Sequence, residues 1–375
     1  MSAGHIETLN GVVTSEVPEG IVNEFVGINS RSSQRYPTGQ HACQGLFWYK
    51  DGTQPDVVFM LTHYTADYME HYLAGPLALQ GYGVLGWNTR FTGAEDRFIL
   101  DDAIDDIAAG VHWLQRTNKP RKIIFIGNSG GGSLMAAYTA KAATDNSLSS
   151  PDAFVFLNAH PGRADVLTNW LDPSVTDEND PLSRDPSLDM YSEENKPPYS
   201  KDFIDRYRSA QKTRNHRITA WVKKERVRFE QSGATDRVFS LHRTLADLRF
   251  MDTSIDSSDR PAPACYAGDP KRGNYNVSLL GRSCTLRTWL EMWSLQDSKA
   301  GFEHSAGAFR IPAIVIQSTC DVGVYPSDAQ YLYDLLASKD KELHFVKGGH
   351  FFEEGGDNLI AVLRLMCDWV KKRLV

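Results

Sequence analysis

The chain has little that would tie it to a metal, a membrane or a nucleic acid. Its 375 residues include only five cysteines, Cys43, Cys265, Cys284, Cys320 and Cys367. They are odd in number, widely scattered and free of any C-x-x-C pair, which excludes a disulfide framework and a structural zinc site and fits a reducing compartment. Most read as buried small hydrophobes. Neither an H-E-x-x-H motif nor a Cys/His cluster occurs, so no metal and no organic cofactor is implied. No stretch approaches the roughly 20 apolar residues that span a bilayer. An excess of basic charge is also missing: 40 Lys and Arg stand against 47 Asp and Glu, for a net charge of -7. That balance argues against nucleic acid or an anionic membrane as the main partner. The start, Met1-Ser2-Ala3-Gly4-His5-Ile6-Glu7, lacks the basic residues and apolar core of a signal peptide, so the expected location is the cytoplasm.

What the chain does have is ample apolar material, 41% of its residues, and an alternation of short apolar runs with helical or loop segments. Strands are expected at 44–49, 56–61, 82–86, 122–126, 153–157, 313–317 and 342–346. Such spacing is the pattern of a mostly parallel α/β sheet. Residues 101–114 repeat apolar side chains at Ile104, Ile107, Ala108, Val111 and Leu114, the stripe of an amphipathic helix, and begin with acids as a helix N-terminus prefers. A similar helix is expected at 358–374. The chain between the strands at 153–157 and 313–317 has a different character. It opens with a Pro-, Asp- and Ser-rich loop at 172–200, continues as a charged helix at 202–231, and has further expected helices at 241–250 and 286–293.

The most informative stretch is Ile123-Ile124-Phe125-Ile126-Gly127-Asn128-Ser129-Gly130-Gly131-Gly132, an apolar strand that stops at a serine set among glycines. Helix formers follow, from Ser133 to Ala143, which places Ser129 at a strand-to-helix turn. The G-x-S-x-G spacing of Gly127, Ser129 and Gly131 is that of a nucleophile elbow. A P-loop would need Lys-Ser/Thr after its last glycine, but Gly132 is followed by Ser133-Leu134. G-x-G-x-x-G finds no register either.

A serine hydroxyl needs a neighbouring base, and the base an orienting carboxylate. Two later strands deliver both: Ile314-Val315-Ile316-Gln317 leads to Asp321, and Leu343-His344-Phe345-Val346 leads through Gly348-Gly349 to His350. In a parallel sheet all carboxyl ends lie on one edge, so Ser129, Asp321 and His350 converge there.

With those three in that order, each at a strand end, the chain resembles the α/β-hydrolase superfamily over residues 40–160 and 311–375. The resemblance implies a core domain of residues 1–160 and 311–375, carrying a mostly parallel sheet flanked by helices, and a mainly helical cap of residues 161–310. It also implies an oxyanion hole built from two backbone N–H groups. One maps to Gly130. The other falls on the loop Thr62-His63-Tyr64-Thr65, where many relatives have His-Gly and this chain has His63-Tyr64, leaving Tyr64 and Thr65 both open as donor. His63 is expected to brace that loop, and His160, past the strand at 153–157, to lie near the same edge; both are candidate pocket residues. Arg90 corresponds to an arginine that ties loops together. The basic residues at 206–228, interspersed with Asp202, Asp205, Glu225 and Glu230, read as a solvated helix face.

The expected protein is thus a serine hydrolase acting on a carboxylic ester of a small or medium hydrophobic molecule, with self-association left open. The rival readings are amide, thioester or carbon-carbon hydrolysis or acyl transfer by the same triad, and a non-catalytic ligand-binding protein.

Overall fold

The computed structural model describes residues 17–31, 41–277, 279–352 and 356–374; the amino-terminal segment Met1 to Glu7 lies outside them. The strands are β1 (Ile21–Ile28), β2 (Cys43–Lys50), β3 (Val57–Leu61), β4 (Gly83–Asn88), β5 (Lys122–Asn128), β6 (Ala153–Leu157), β7 (Val238–Ser240), β8 (Ser283–Thr285), β9 (Ala313–Ser318) and β10 (Lys341–Val346). The helices are α1 (Ala74–Leu79), α2 (Leu100–Thr117), α3 (Gly131–Ala142), α4 (Arg163–Trp170), α5 (Lys201–Gln231), α6 (Pro270–Asn274), α7 (Leu286–Thr288), α8 (Pro326–Leu335) and α9 (Gly356–Leu374).

The chain divides into two compact units. The first comprises residues 1–94, 101–160 and 302–375, and the second residues 95–100 and 161–301. The first unit holds an eight-stranded sheet in the order β1-β2-β4-β3-β5-β6-β9-β10. Its pairings from β4 through β3, β5, β6 and β9 to β10 are parallel, and β1 and β2 add on antiparallel.

Apolar runs make the central strands. β3 (VVFML) and β6 (AFVFL) are buried at every position, as strands covered on both faces must be. Alternation divides their side chains between two cores. Ile124, Ile126, Val155, Leu157, Ile314 and Ile316 pack with Leu73 and Leu77 next to or within α1 and with Met366 and Val370 of α9. On the opposite face the Phe125 ring meets Tyr138 of α3 at 5.5 Å, and Phe154 and Phe156 stack at 4.2 Å. Phe302 and Phe309, just past the second unit, join that cluster, Phe302 lying 5.2 Å from Phe156.

The strand β1 is not foreshadowed by any apolar run, because Asn23 and Glu24 interrupt it; it is an edge strand with Phe25 exposed. Arg90, expected to tie loops together, pairs instead with helix α2 and with Ser30. Its backbone N–H and Nε each reach Asp106 Oδ2 at 2.9 Å, while Nη2 reaches Asp106 Oδ1 at 2.5 Å and Ser30 Oγ at 2.6 Å. Asp106 is fully buried, so this pairing holds the end of β4 onto α2.

In the second unit α5 runs for 31 residues, started by Ser200, whose Oγ accepts from the Phe203 N–H. Carboxylates match its cations: Arg208 with Asp247, Arg214 and Arg217 with Glu178, Lys223 with Asp297, and Arg228 with Glu225. The loop before it is organised by aspartates, since Asp172, Asp177, Asp180, Asp185 and Asp189 each accept from the N–H two residues on.

A helix over 241–250 does not form. Arg243 sits at φ 54°, in the left-handed region, and neighbouring N–H groups are taken by other partners. Leu241 donates to the Arg282 carbonyl, Leu245 to Asn274 Oδ1 and Ala246 to the Trp170 carbonyl. Only a single 3-10 turn survives, at Leu248–Phe250. The helix over 286–293 does form, but α7 passes at Trp289–Trp293 into a π-helical turn, closed by the Ser294 N–H on the Trp289 carbonyl at 2.8 Å.

Candidate active site

β5 ends at Asn128, and Ser129 follows with φ 53°, a left-handed conformation that a non-glycine residue adopts only when its surroundings hold it there. Three glycines create those surroundings. A Cβ on Gly127 would come within 2.5 Å of the Gly132 Cα, one on Gly131 within 2.2 Å of the Thr62 carbonyl oxygen, and one on Gly132 within 2.6 Å of the Ala159 Cβ. Backbone bonds close the turn: the Ser129 N–H donates to the Leu157 carbonyl and the Gly132 N–H to the Ser129 carbonyl, both at 3.2 Å. The elbow is therefore wedged between the loop after β3 and the residues after β6. Ser129 remains partly exposed although Asn128 and Gly130 on either side are buried.

Beneath the serine, Asn128 is held by three hydrogen bonds. Its Nδ2 donates to the Leu157 carbonyl at 2.8 Å, its carbonyl accepts from Tyr68 Oη at 3.0 Å, and its Oδ1 lies 2.9 Å from His71 Nε2. The Leu73 N–H donates to His71 Nδ1, so Nε2 carries the ring proton and donates to Asn128. Burial, with a smaller repulsive contribution from His350, lowers the His71 pKa to about 4, and the ring stays neutral near pH 7. His71 also stacks on Tyr72, with ring centroids 4.3 Å apart.

Asp321 and His350 come together after β9 and β10. His350 Nδ1 lies 2.6 Å from Asp321 Oδ2, and both side chains are almost wholly buried. The other carboxylate oxygen, Oδ1, accepts from the N–H groups of Gly323 and Val324 at 2.9 and 3.1 Å. This leaves Oδ2 aimed at the imidazole. The histidine loop is shaped by Gly348, at φ 145°, where a Cβ would strike the Phe352 ring at 2.6 Å. The Phe351 ring meets the imidazole edge-to-face at 4.5 Å. Asn158, at φ 44° beyond β6, donates from Nδ2 to the His350 carbonyl at 2.8 Å and accepts from the Ser318 N–H at 2.7 Å. It ties the histidine loop to β9.

His63 Nδ1 accepts from the N–H groups of Thr65 at 3.3 Å and Ala66 at 3.0 Å, bracing the loop after β3. The Thr65 N–H thus points at the imidazole. The Tyr64 side chain is fully buried, with its hydroxyl 3.0 Å from Ser133 Oγ in α3, so the phenol joins the loop to that helix. Gly130 sits at the start of α3 with helical φ and ψ. His160 is buried two residues beyond Asn158. Asn158, Asn128 and His71 are residues that motif reasoning passes over. For Asn128 and Asn158 the one sequence signal is an amide side chain at the carboxyl end of an otherwise apolar strand; His71, in the loop before α1, has none.

Ser129 thus follows the fifth strand, and the Asp321-His350 pair follows the last two. A family model described as alpha/beta hydrolase fold matches residues 64–356, and the chain belongs to that family; its coarse class is hydrolase. Among solved structures it is similar to the hypothetical protein PA2218 from Pseudomonas aeruginosa, at 13% identity and a TM-score of 0.52 over 98% of this chain and 99% of that one. It is also similar to the alpha/beta hydrolase GrgF from Penicillium sp. sh18, at 12% identity and a TM-score of 0.52 over 94% and 99% of the two chains. At such identities the likeness is one of fold alone. No curated protein matches the chain. Among the described residues no helix is long and apolar enough to cross a membrane.

Proposed function

We propose that the protein is a serine hydrolase that cleaves a carboxylic ester of a small or medium hydrophobic molecule through an acyl-enzyme. The observation that carries this reading is the 2.6 Å approach of His350 Nδ1 to Asp321 Oδ2, in a chain whose elbow serine stands at φ 53°. With Nδ1–H committed to the carboxylate, Nε2 is the basic nitrogen of His350. It takes the proton of Ser129 Oγ as that oxygen attacks the ester carbonyl, and returns it to the departing alcohol. A water deprotonated by the same nitrogen then attacks the acyl-serine; the imidazolium returns that proton to Ser129 Oγ as it leaves, and the free acid is released. Asp321 stabilises the imidazolium formed in each half-reaction.

The developing oxyanion is assigned to the Gly130 N–H at the start of α3 and to the Tyr64 N–H. The Thr65 N–H is the weaker second donor because His63 Nδ1 already accepts from it. Substrate selection is assigned to the unit inserted between β6 and β9, and His160 to the pocket wall. A cytoplasmic, small-molecule enzyme is the setting consistent with the charge balance and the scattered cysteines.

A panel of p-nitrophenyl esters of graded acyl length, matched anilides and a vinylogous diketone tests the reading. Ester turnover that disappears in Ser129→Ala supports it. Turnover of the diketone with none of any ester would replace ester cleavage by carbon-carbon cleavage.

A further inference from the structure

The second unit contains a cavity of about 210 Å³ where the end of β7 faces the connection from α6 to β8, lined among others by Leu241, Arg243, Asn274, Tyr275, Arg282 and Ser283. Its floor is cationic. Arg243 is 1% exposed and lies 5.0 Å from the centre of the Tyr275 ring. Its near carboxylate is Asp172, at 2.5 Å, an ion pair made without a well-aligned hydrogen bond; Asp189 follows at 3.8 Å. Both aspartates have other work: Asp172 accepts from Asn274 Nδ2 at 2.7 Å, and Asp189 pairs with Arg184 at 2.9 Å.

Arg282 is different. It is 8% exposed, and its Nη2 donates to two neutral acceptors, the carbonyls of Gly273 at 3.3 Å and Asn274 at 2.9 Å. Among the described residues it has no carboxylate within ion-pair distance, and its buried Nε has no acceptor. Burial and then the nearby Arg214 push its pKa down to about 10, which still leaves it charged at neutral pH. Burying a charge without a counter-charge is unfavourable, and here a cavity adjoins the unmatched group.

We infer that this cavity binds a small oxyanion, a carboxylate or a phosphate, with the Arg282 guanidinium as its partner. A guanidinium presents parallel N–H donors that match either group. Arg243 lies against Asp172 and Asp189, so Arg282 supplies the one positive charge at the cavity that has no carboxylate within ion-pair distance among the described residues. That favours a singly charged carboxylate head over a phosphate dianion.

The test is thermal unfolding of the full chain titrated with butyrate, with inorganic phosphate and with chloride at matched ionic strength. Wild type is expected to show a saturable rise in Tm of about 3 °C or more with at least one oxyanion above the chloride baseline, and the anion with the lower apparent Kd identifies the head group. Arg282→Met is expected to weaken that response at least tenfold. Ser283→Glu, at an exposed rim position, is expected to do the same by placing a fixed carboxylate at the cavity, and it decides the matter if Arg282→Met fails to fold. No saturable rise with either oxyanion, or an unchanged Kd in Ser283→Glu, overturns the assignment.

Discussion

Asn158 holds the carbonyl of His350: its Nδ2 donates at 2.8 Å, while its Oδ1 accepts from the Ser318 N–H on the neighbouring strand at 2.7 Å. The amide therefore couples the loop carrying His350, the proposed general base, to the strand that leads to Asp321. Asn158→Ala leaves two buried backbone groups unpaired and is expected to cost about 2 kcal/mol or more, read by denaturant unfolding, together with a marked fall in kcat. Asn158→Asp keeps the shape but sets a carboxylate against the His350 carbonyl. It is expected to be no better than Ala, and recovery of activity in the Asp variant would refute the donor role.

Asp321→Asn removes the acceptor that selects the His350 tautomer. Its amide can offer a donor to Nδ1, which puts the proton on Nε2, the nitrogen that must accept from Ser129. We expect kcat to fall by about 10,000-fold in steady-state assays, with KM little changed.

His71 gives the protein an acid limb. Its folded pKa, about 4, lies below the unfolded value of 6.5, so the unfolded chain binds the proton more readily. The stability that depends on its neutral form is complete above pH 6.5 and is lost as pH falls toward 4, by about 2 kcal/mol at pH 5. His71→Gln keeps an amide donor toward Asn128 but does not titrate. Its unfolding free energy is expected to change less between pH 7 and pH 5 than that of wild type; parallel curves would remove His71 as the titrating group.

Gly131→Ala tests the contact between the elbow and the loop after β3. The new Cβ would lie 2.2 Å from the Thr62 carbonyl oxygen, a backbone atom that yields only if the loop bearing Tyr64 moves. Displacing a proposed oxyanion donor is expected to lower kcat by about 100-fold with a smaller effect on KM. A variant with wild-type kcat would show that the loop donates nothing to the transition state.

The parts of this molecule that could be read from the sequence are those that repeat or punctuate. Apolar runs such as Val57–Leu61 and Ala153–Leu157 announce strands covered on both faces, and glycines around Ser129 announce a turn. β1 escaped because an edge strand with Asn23 and Glu24 has no buried run to display. The expected helix over 241–250 failed because apolar spacing is silent about tertiary partners, here Asn274, Trp170 and Arg282, which take the N–H groups a helix would use. Asn158 and His71 were illegible for a related reason: their roles depend on residues far away in the chain, and a lone asparagine or histidine carries no period.

The most direct test of the central proposal is labelling with a fluorophosphonate followed by intact mass measurement and peptide mapping. The predicted result is one adduct per chain, on Ser129, formed with loss of all hydrolase activity, slowed by Asp321→Asn and absent in Ser129→Ala. An adduct on another residue, or a folded and unlabelled protein that still turns over ester, would contradict it.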